Sequence, residues 1–234
     1  LEGLGLLQPK HIEAAVSDSS PAVRKQAAVL LEKYWDACPN GELLAKKMLV
    51  DSSQSVQFQA LLSFGDRIDH ADFQLWLHVF SRSIEDKWLT QAMLMAVGDE
   101  LPKLVQEFWT RGQDGILKSM SPGKTENIYR IHHAAARYIS TEANARQAWL
   151  TWVVQWWSEA PQRYHDLGVR NQGVTASLLG TLDGLRSRSV NVSVLPATAS
   201  SEQQVQIDVL WDFSKQWAGN VTLPAADRLA GIKL

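Results

Sequence analysis

The stretch SSPAVRKQAAVLLEKY (residues 19–34) returns one 33-residue step later as SSQSVQFQALLSFGD (residues 52–66). In the first copy Val23, Ala27, Leu30, Leu31 and Tyr34 recur at i, i+4, i+7, i+8 and i+11, which places them on one stripe of an α-helix. Ser20 is a favourable N-cap residue and Pro21 suits the first helical position. In the second copy Val56, Ala60 and Phe64 repeat the stripe, and Gly65 supplies a stop. A shorter apolar-periodic helix precedes each: Ile12, Ala15 and Val16 after Pro9, then Leu44, Met48 and Leu49 after the Asn40–Gly41 turn. Asp18 and Asp51 occupy equivalent turns. A third, looser copy reads DFQLWLHVF (72–80) followed by DKWLTQAMLMAV (86–97). Here Trp88 and Ala92 stand in for the Val and Ala, so the period reads as 33, then 32.

Helix pairs repeating at this interval cannot bury their apolar faces alone; stacking them side by side makes one continuous core. The expected fold class is therefore all-α, an α-solenoid. The pattern Asp18, Pro21, Val23, Arg24, Ala27 resembles the HEAT-repeat signature. That resemblance implies a structural ladder in which Asp18, Arg24 and Asp51 join successive repeats through charge-assisted hydrogen bonds. Copy two carries Gln57 at the arginine position and, in this register, copy three carries Leu89, so the ladder reads as incomplete.

Beyond residue 100 the repeat blurs while helical patterning continues. Leu101, Leu104, Val105 and Phe108 form a stripe after Pro102. Ile128, Ile131, Ala135 and Tyr138 form another after the loop SMSPGKTEN (119–127). In ARQAWLTWVVQWWSEAP (145–161), Ala145, Trp149, Trp152, Val153 and Trp156 share one face while Leu150, Val154 and Trp157 lie on neighbouring faces, which predicts a nearly surrounded helix. Val174, Leu178, Leu182 and Leu185 continue at helical spacing, and Gly173, Gly180 and Gly184 suit close helix contacts. The stretch around VNVSV (190–194) is the one strand candidate, and VQIDVLWDFSKQWAG (205–219) reads as a further helix. The whole of 1–234 reads as a single elongated HEAT-like domain cut from a longer chain, clearest over 1–100 and divergent over 101–234.

Composition is consistent with a folded chain: of 234 residues, 45% are hydrophobic and 21% charged, which excludes a disordered or fibrous protein. No apolar run approaches the roughly 18 to 20 residues of a membrane helix, so no membrane insertion is expected. The single cysteine, Cys38, excludes an internal disulfide, a paired-cysteine zinc site and a Cys-x-x-Cys-His haem attachment in this segment.

The phrases at 18–34, 51–66 and 86–97, together with GTLDGLRSRS (180–189), resemble the HEAT-repeat region of planctomycete and verrucomicrobial membrane-bound (sugar) dehydrogenases. In that family a β-propeller similar to quinoprotein sugar dehydrogenases precedes the HEAT region and a c-type cytochrome domain follows it. The resemblance implies a periplasmic or cell-envelope, electron-transfer setting, with haem c or quinone held elsewhere in the parent protein. None of the family's chemical residues falls in this segment, so no cofactor is expected here.

Residue by residue, no catalytic or metal constellation emerges. The histidines are His11, His70, His78, His132, His133 and His165, with no His-Glu dipeptide of the kind that binds di-iron in HEAT-like hydroxylases. His132 and His133 are adjacent on a helix and point about 100° apart, which disfavours a shared metal. They read as satisfied or exposed histidines. His165 beside Asp166 lacks a spaced nucleophile and reads as a polar turn. The tryptophan spacing reads as core for Trp149, Trp152 and Trp156, with Trp157 the one that reads as exposed. Asn191 and Asn220 head glycosylation sequons that a bacterial source leaves unused.

Charge is unevenly distributed: residues 1–110 hold 10 Lys plus Arg against 15 Asp plus Glu, whereas 111–190 hold 10 against 6. Arg130, Arg137, Arg163, Arg170, Arg186 and Arg188, with Trp157, are the candidate partner-binding residues, suited to an acidic protein or a neighbouring domain. A net charge of -2 and pI near 6.3 do not favour nucleic acid. The function read from the sequence is a noncatalytic scaffold orienting dehydrogenase and cytochrome c domains. The alternatives are a stand-alone protein-binding solenoid, and an enzyme or binder acting on sugar or nucleic acid through the Trp/Arg-rich C-terminal half.

Overall fold

The computed structural model describes residues 6–69, 72–111, 121–163 and 167–190. Among these residues every regular element is helical and there is no strand. VNVSV beyond Val190 and the helix expected over 205–219 lie outside the described residues. By contact the chain divides into two compact units, Leu1–Gly98 and Asp99–Leu234.

The first unit contains α1 (Pro9–Val16), α2 (Pro21–Lys33), α3 (Gly41–Leu49), α4 (Gln54–Phe64), α5 (Phe73–Ser83) and α6 (Lys87–Val97). They pack as sequential pairs, α1 on α2, α3 on α4 and α5 on α6, and the second helices form a row in which α4 touches both α2 and α6. The start of each second helix is set by its turn. Asp18 and Asp51 accept the Ser20 and Ser53 N–H groups at 2.7 and 2.8 Å, while the N-cap hydroxyls of Ser20 and Ser53 make no capping bond. Asp86 caps α6 directly, accepting from Trp88 N–H at 2.8 Å and Leu89 N–H at 2.9 Å.

These caps correct the register of the third pair. Ser20, Ser53 and Asp86 are each 33 apart, so the period is 33 throughout. Val56, Ala60 and Phe64 then correspond to Leu89, Met93 and Val97, and all six are buried. Trp88 does not replace the valine: it is 65% exposed, with the Lys87 ammonium 5.6 Å from its ring centroid. Val23 is also exposed, unlike its equivalent Val56. The physical reason is position in the row: α4 is flanked on both sides by second helices, whereas among the described residues α2 has only α4. Ala27, Ala28 and Leu31 carry the core side of α2 instead.

Gly65 ends α4, but in right-handed backbone (φ −57°, ψ −35°) rather than as a left-handed cap. What requires glycine is contact: a Cβ there would lie 2.1 Å from Ala96 Cβ and 2.6 Å from the Leu61 carbonyl oxygen. Glycine thus lets α4 and α6 approach closely at this point.

The second unit contains α7 (Leu101–Thr110), α8 (Pro122–Ile139), α9 (Ala143–Arg163) and α10 (Leu167–Arg186). Leu101, Leu104, Val105 and Phe108 are the buried stripe of α7. α8 starts inside the stretch read as a loop: Ser121 accepts the Lys124 N–H at 3.3 Å and Pro122 takes the first position, the same Ser-Pro entry as at Ser20–Pro21. Ile128, Ile131 and Ala135 are buried with Ala136, whereas Tyr138 is exposed, because the buried face drifts to Ala136 as α8 meets α10. That meeting is backbone to backbone. A Cβ on Gly180 would lie 2.3 Å from the Tyr129 carbonyl oxygen, and one on Gly184 would lie 2.4 Å from that of His133. On α9, Trp149, Leu150 and Val153 are buried.

Gly65→Ala is expected to destabilise the first unit by about 1–3 kcal/mol or more, the usual cost of overpacking a filled seam. Gly123→Ala, where the nearest atom is 3.9 Å away, is expected to be neutral or slightly stabilising because alanine favours helix. Urea unfolding of both variants checks the contrast.

Candidate functional site

Arg24 is the polar centre of the first unit. Its guanidinium grips Asp51 in the next pair bidentately, Nε to Oδ2 at 2.7 Å and Nη2 to Oδ1 at 2.8 Å. Nη1 meanwhile donates to the Asp18 and Ser19 carbonyls of its own turn at 2.9 and 3.1 Å. One side chain therefore ties the turn after α1 to the turn after α3. The Asp51 carboxylate is partly buried, which works against its charge. The Arg24 hydrogen bonds, the Ser53 N–H and the nearby Lys47 outweigh that and hold it below the ordinary carboxylate range. The Asp51 hydrogen bond in turn raises Arg24, against the smaller opposing effect of desolvation.

The arginine position does not fall silent in the other pairs. Gln57 is buried and donates to the Leu49 carbonyl at 3.3 Å, and Thr90, also buried, donates to the Ser83 carbonyl at 2.6 Å. Leu49 and Ser83 are the last residues of α3 and α5, so the same register position caps the first helix of its own pair each time. The 32-residue spacing hid this by matching Leu89 to Arg24; the Ser53–Asp86 cap spacing was the signal that finds Thr90. Further bonds cross between pairs, including Asn40 to Glu13 at 3.2 Å, Lys47 to Ser17 at 2.8 Å and Lys46 to Asp72 at 3.3 Å. These are more exposed and contribute little each.

In the second unit His132 is fully buried among tryptophans. The Trp109 indole N–H donates to His132 Nε2 at 3.1 Å, so the neutral ring carries its proton on Nδ1, which has no hydrogen-bond partner among the described residues. Trp149 and Trp152 lie 6.0 and 6.4 Å away, the latter nearly parallel at 7°. Burial pushes His132 down to about 3. It is neither the exposed nor the fully satisfied histidine that the sequence suggested, and with Nε2 occupied and no exposure it is not placed to act as a base. His133 is half-buried, stacks on Tyr129 at 5.9 Å, and is lowered by burial and by Arg137 against the pull of Asp183. The Tyr129 hydroxyl donates to Asp183 at 3.0 Å and is pushed up to about 12, first by burial and then by that carboxylate.

The candidate partner-binding arginines are spread over this unit. Arg130 pairs with Glu126 at 2.9 Å and Arg186 with Asp183 at 3.2 Å. Arg137 is exposed on α8 and Arg188 follows α10, also exposed. Arg163 and Arg170 belong to α9 and α10, and Trp157 to α9, but their side chains lie outside the described residues. His70, His165 and Asp166 lie outside them too. Among the described residues no group of three or more His, Cys, Asp or Glu could hold a metal, and no helix is long and apolar enough to cross a membrane. Cys38 is a buried free thiol, raised by burial and by Glu13.

Three outcomes follow. Ala27→Asp, which buries an unpaired charge, is expected to cost several kcal/mol and to exceed the effect of Arg24→Ala, with hydrogen-exchange protection lost first across α1–α4. Because the folded Asp51 value is depressed, its contribution is present above about pH 4 and fades as pH falls below it, so the stability gap between wild type and Asp51→Asn is expected to narrow in acid. For His132 the window is different. Between about pH 6.5 and 3 the unfolded chain binds a proton that the folded ring does not, so stability falls with falling pH by up to about 1.4 kcal/mol per unit. His132→Phe is expected to flatten that slope in urea titrations, whatever its effect at neutral pH.

Comparison with family models, with curated proteins and with solved structures finds no match to this chain.

Proposed function

We propose that the chain is a HEAT-like α-solenoid acting as a noncatalytic interaction scaffold, and that it orients a dehydrogenase domain relative to a haem electron acceptor in a larger electron-transfer protein. The observation that carries the scaffold reading is the Arg24–Asp51 link together with the 33-residue register of caps and buried positions across three helix pairs. The Arg24–Asp51 pair ties the first helix pair to the second, and the second helices pack in a row, which is how a stacked array transmits a fixed spacing. A Gly/Ser linker of the same length samples many end-to-end distances, whereas a stacked-helix array holds one. The electron-transfer setting rests on the family resemblance of the repeated phrases, and the partner-binding role of Arg137 and Arg188 on their exposure.

Small-angle scattering tests the solenoid: the expected radius of gyration exceeds the roughly 17–18 Å of a compact chain of this length. A compact particle would overturn it. In the parent polypeptide, replacing this segment with a Gly/Ser linker is expected to slow transfer to the haem while each flanking domain stays active; an unchanged rate overturns the orienting role.

A further inference from the structure

The 33-residue register shows what the flank of α2 turned away from α4 is built to meet. Two contacts mark the side of the second pair that faces the first: Arg24 reaches across to Asp51, and the Ser63 hydroxyl on α4 donates to Glu32 on α2. One period back, Asp51 and Ser63 become Asp18 and Leu30. These two therefore lie on the flank where, among the described residues, α2 has no second helix beside it. The burial pattern agrees. Val56 is fully buried while Val23 is 39% exposed, Gln59 is half-buried while Gln26 is exposed, and Ser63 is buried while Leu30 is half-buried. If α6 closed Val56, α4 would close Val23 in the same way; Val23 is open, so Val56 is closed from the first pair's side. Val23, Gln26 and Leu30, at i, i+3 and i+7, thus form one uncharged stripe on the open flank.

The polar end of the flank repeats the comparison. Asp18 accepts the Ser20 N–H at 2.7 Å as Asp51 accepts the Ser53 N–H at 2.8 Å. Asp51 also receives a guanidinium, whereas among the described residues Asp18 receives none. Arg24 is near enough to Asp18 to feel its charge, yet its donors go to Asp51 and to the Asp18 and Ser19 carbonyls. A pair that closes a stacked array presents a polar outer face. This flank instead offers an apolar stripe and a half-buried carboxylate, the features by which the second pair meets the first.

We propose that this flank is a stacking face occupied by a further helix pair of the same polypeptide, in the same 33-residue register. An arginine of that pair, at the position equivalent to Arg24, binds Asp18, and its second helix covers Val23 and Leu30. The occupant is identified by continuity with the α2–α4 interface, where each of these contacts is present one period later. The row joins pairs that are adjacent in the chain, which is why the same polypeptide supplies it. The proposal extends the row of the scaffold reading and rests on it, at a surface separate from the arginines of the second unit.

The test inserts a second copy of residues 8–40, one period, between Leu7 and Gln8, so that the added Asn40 meets Gln8 as Asn40 meets Gly41 in the natural order. The added Arg24 then precedes Asp18 by 27 residues, the separation of Arg24 and Asp51. The urea midpoint is expected to rise, and hydrogen exchange at the amides of the original α2 to slow about tenfold or more. Asp18→Asn in the original pair keeps an acceptor for the Ser20 N–H and loses only the charge. It is expected to remove much of that protection, as is Arg24→Ala in the added copy alone. Without the added period, Asp18→Asn is expected to change protection only about twofold. An added period that forms no helix by circular dichroism, an original α2 that exchanges as fast as before, or an Asp18→Asn effect of equal size with and without the added period overturns the proposal. So does concentration-dependent dimerisation of the natural chain abolished by Val23→Asp, which makes the occupant a second copy. A compact scattering profile of the natural chain with these gains intact would overturn the scaffold reading alone; an elongated profile without them would overturn this stacking face alone.

Discussion

A helix with two buried flanks needs two neighbours of its own kind, and α4 is that helix. Val56, Ala60 and Phe64 are fully buried, and Gly65 admits Ala96 to a distance that any Cβ would block. The sides of α4 are closed by α2 and α6, while α3 covers a third. Remove either second helix and a stripe of aliphatic and aromatic surface meets water, at about 25 cal/mol for every Å² exposed. The stacking of pairs is thus a condition for α4 to exist as a stable helix.

Stacking leaves a polar problem at every turn, since the last carbonyls of each first helix have no partner within it. One register position answers it in two pairs, through Gln57 and Thr90, while in the first pair the arginine there serves the turn that follows α1. Arginine reaches the Asp18 and Ser19 carbonyls and has donors left for Asp51; glutamine and threonine reach Leu49 and Ser83 and stop there. Only arginine is long enough, and has enough donors, to serve its own turn and the next one at once. The buried Gln57 amide has its carbonyl oxygen without a partner among the described residues, the cost of a shorter side chain at a position built for a longer one.

The second unit meets the same demand for close packing by other means. Gly180 and Gly184 let α10 lie against the backbone of α8, and the space that remains is filled by aromatic rings around His132. An imidazole held neutral by burial serves there as a flat, polar-edged packing group whose Nε2 accepts the Trp109 N–H. The same burial that makes it a good filler makes it a liability in acid, because a proton added to it has no counter-charge among the groups it touches.

Local signals in the chain determined the helices and their order: Ser-Pro and Asp entries, the i, i+4 and i+7 stripes, and the recurrence of one phrase at 33 residues. They determined the all-α class and the suitability of Gly180 and Gly184 for close contact, while the Asp18–Arg24–Asp51 link was what the HEAT-repeat resemblance implied. Periodicity names a stripe but cannot say how many neighbours cover it. Tertiary structure alone therefore decided that Val23 is open where Val56 is closed, that Tyr138 yields its place to Ala136, and that His132 is sealed beneath Trp109. It also decided between Trp88 and Leu89 for the core of α6, because a one-residue shift rotates a helix by about 100° and only the cap at Asp86, seen in place, fixes that rotation.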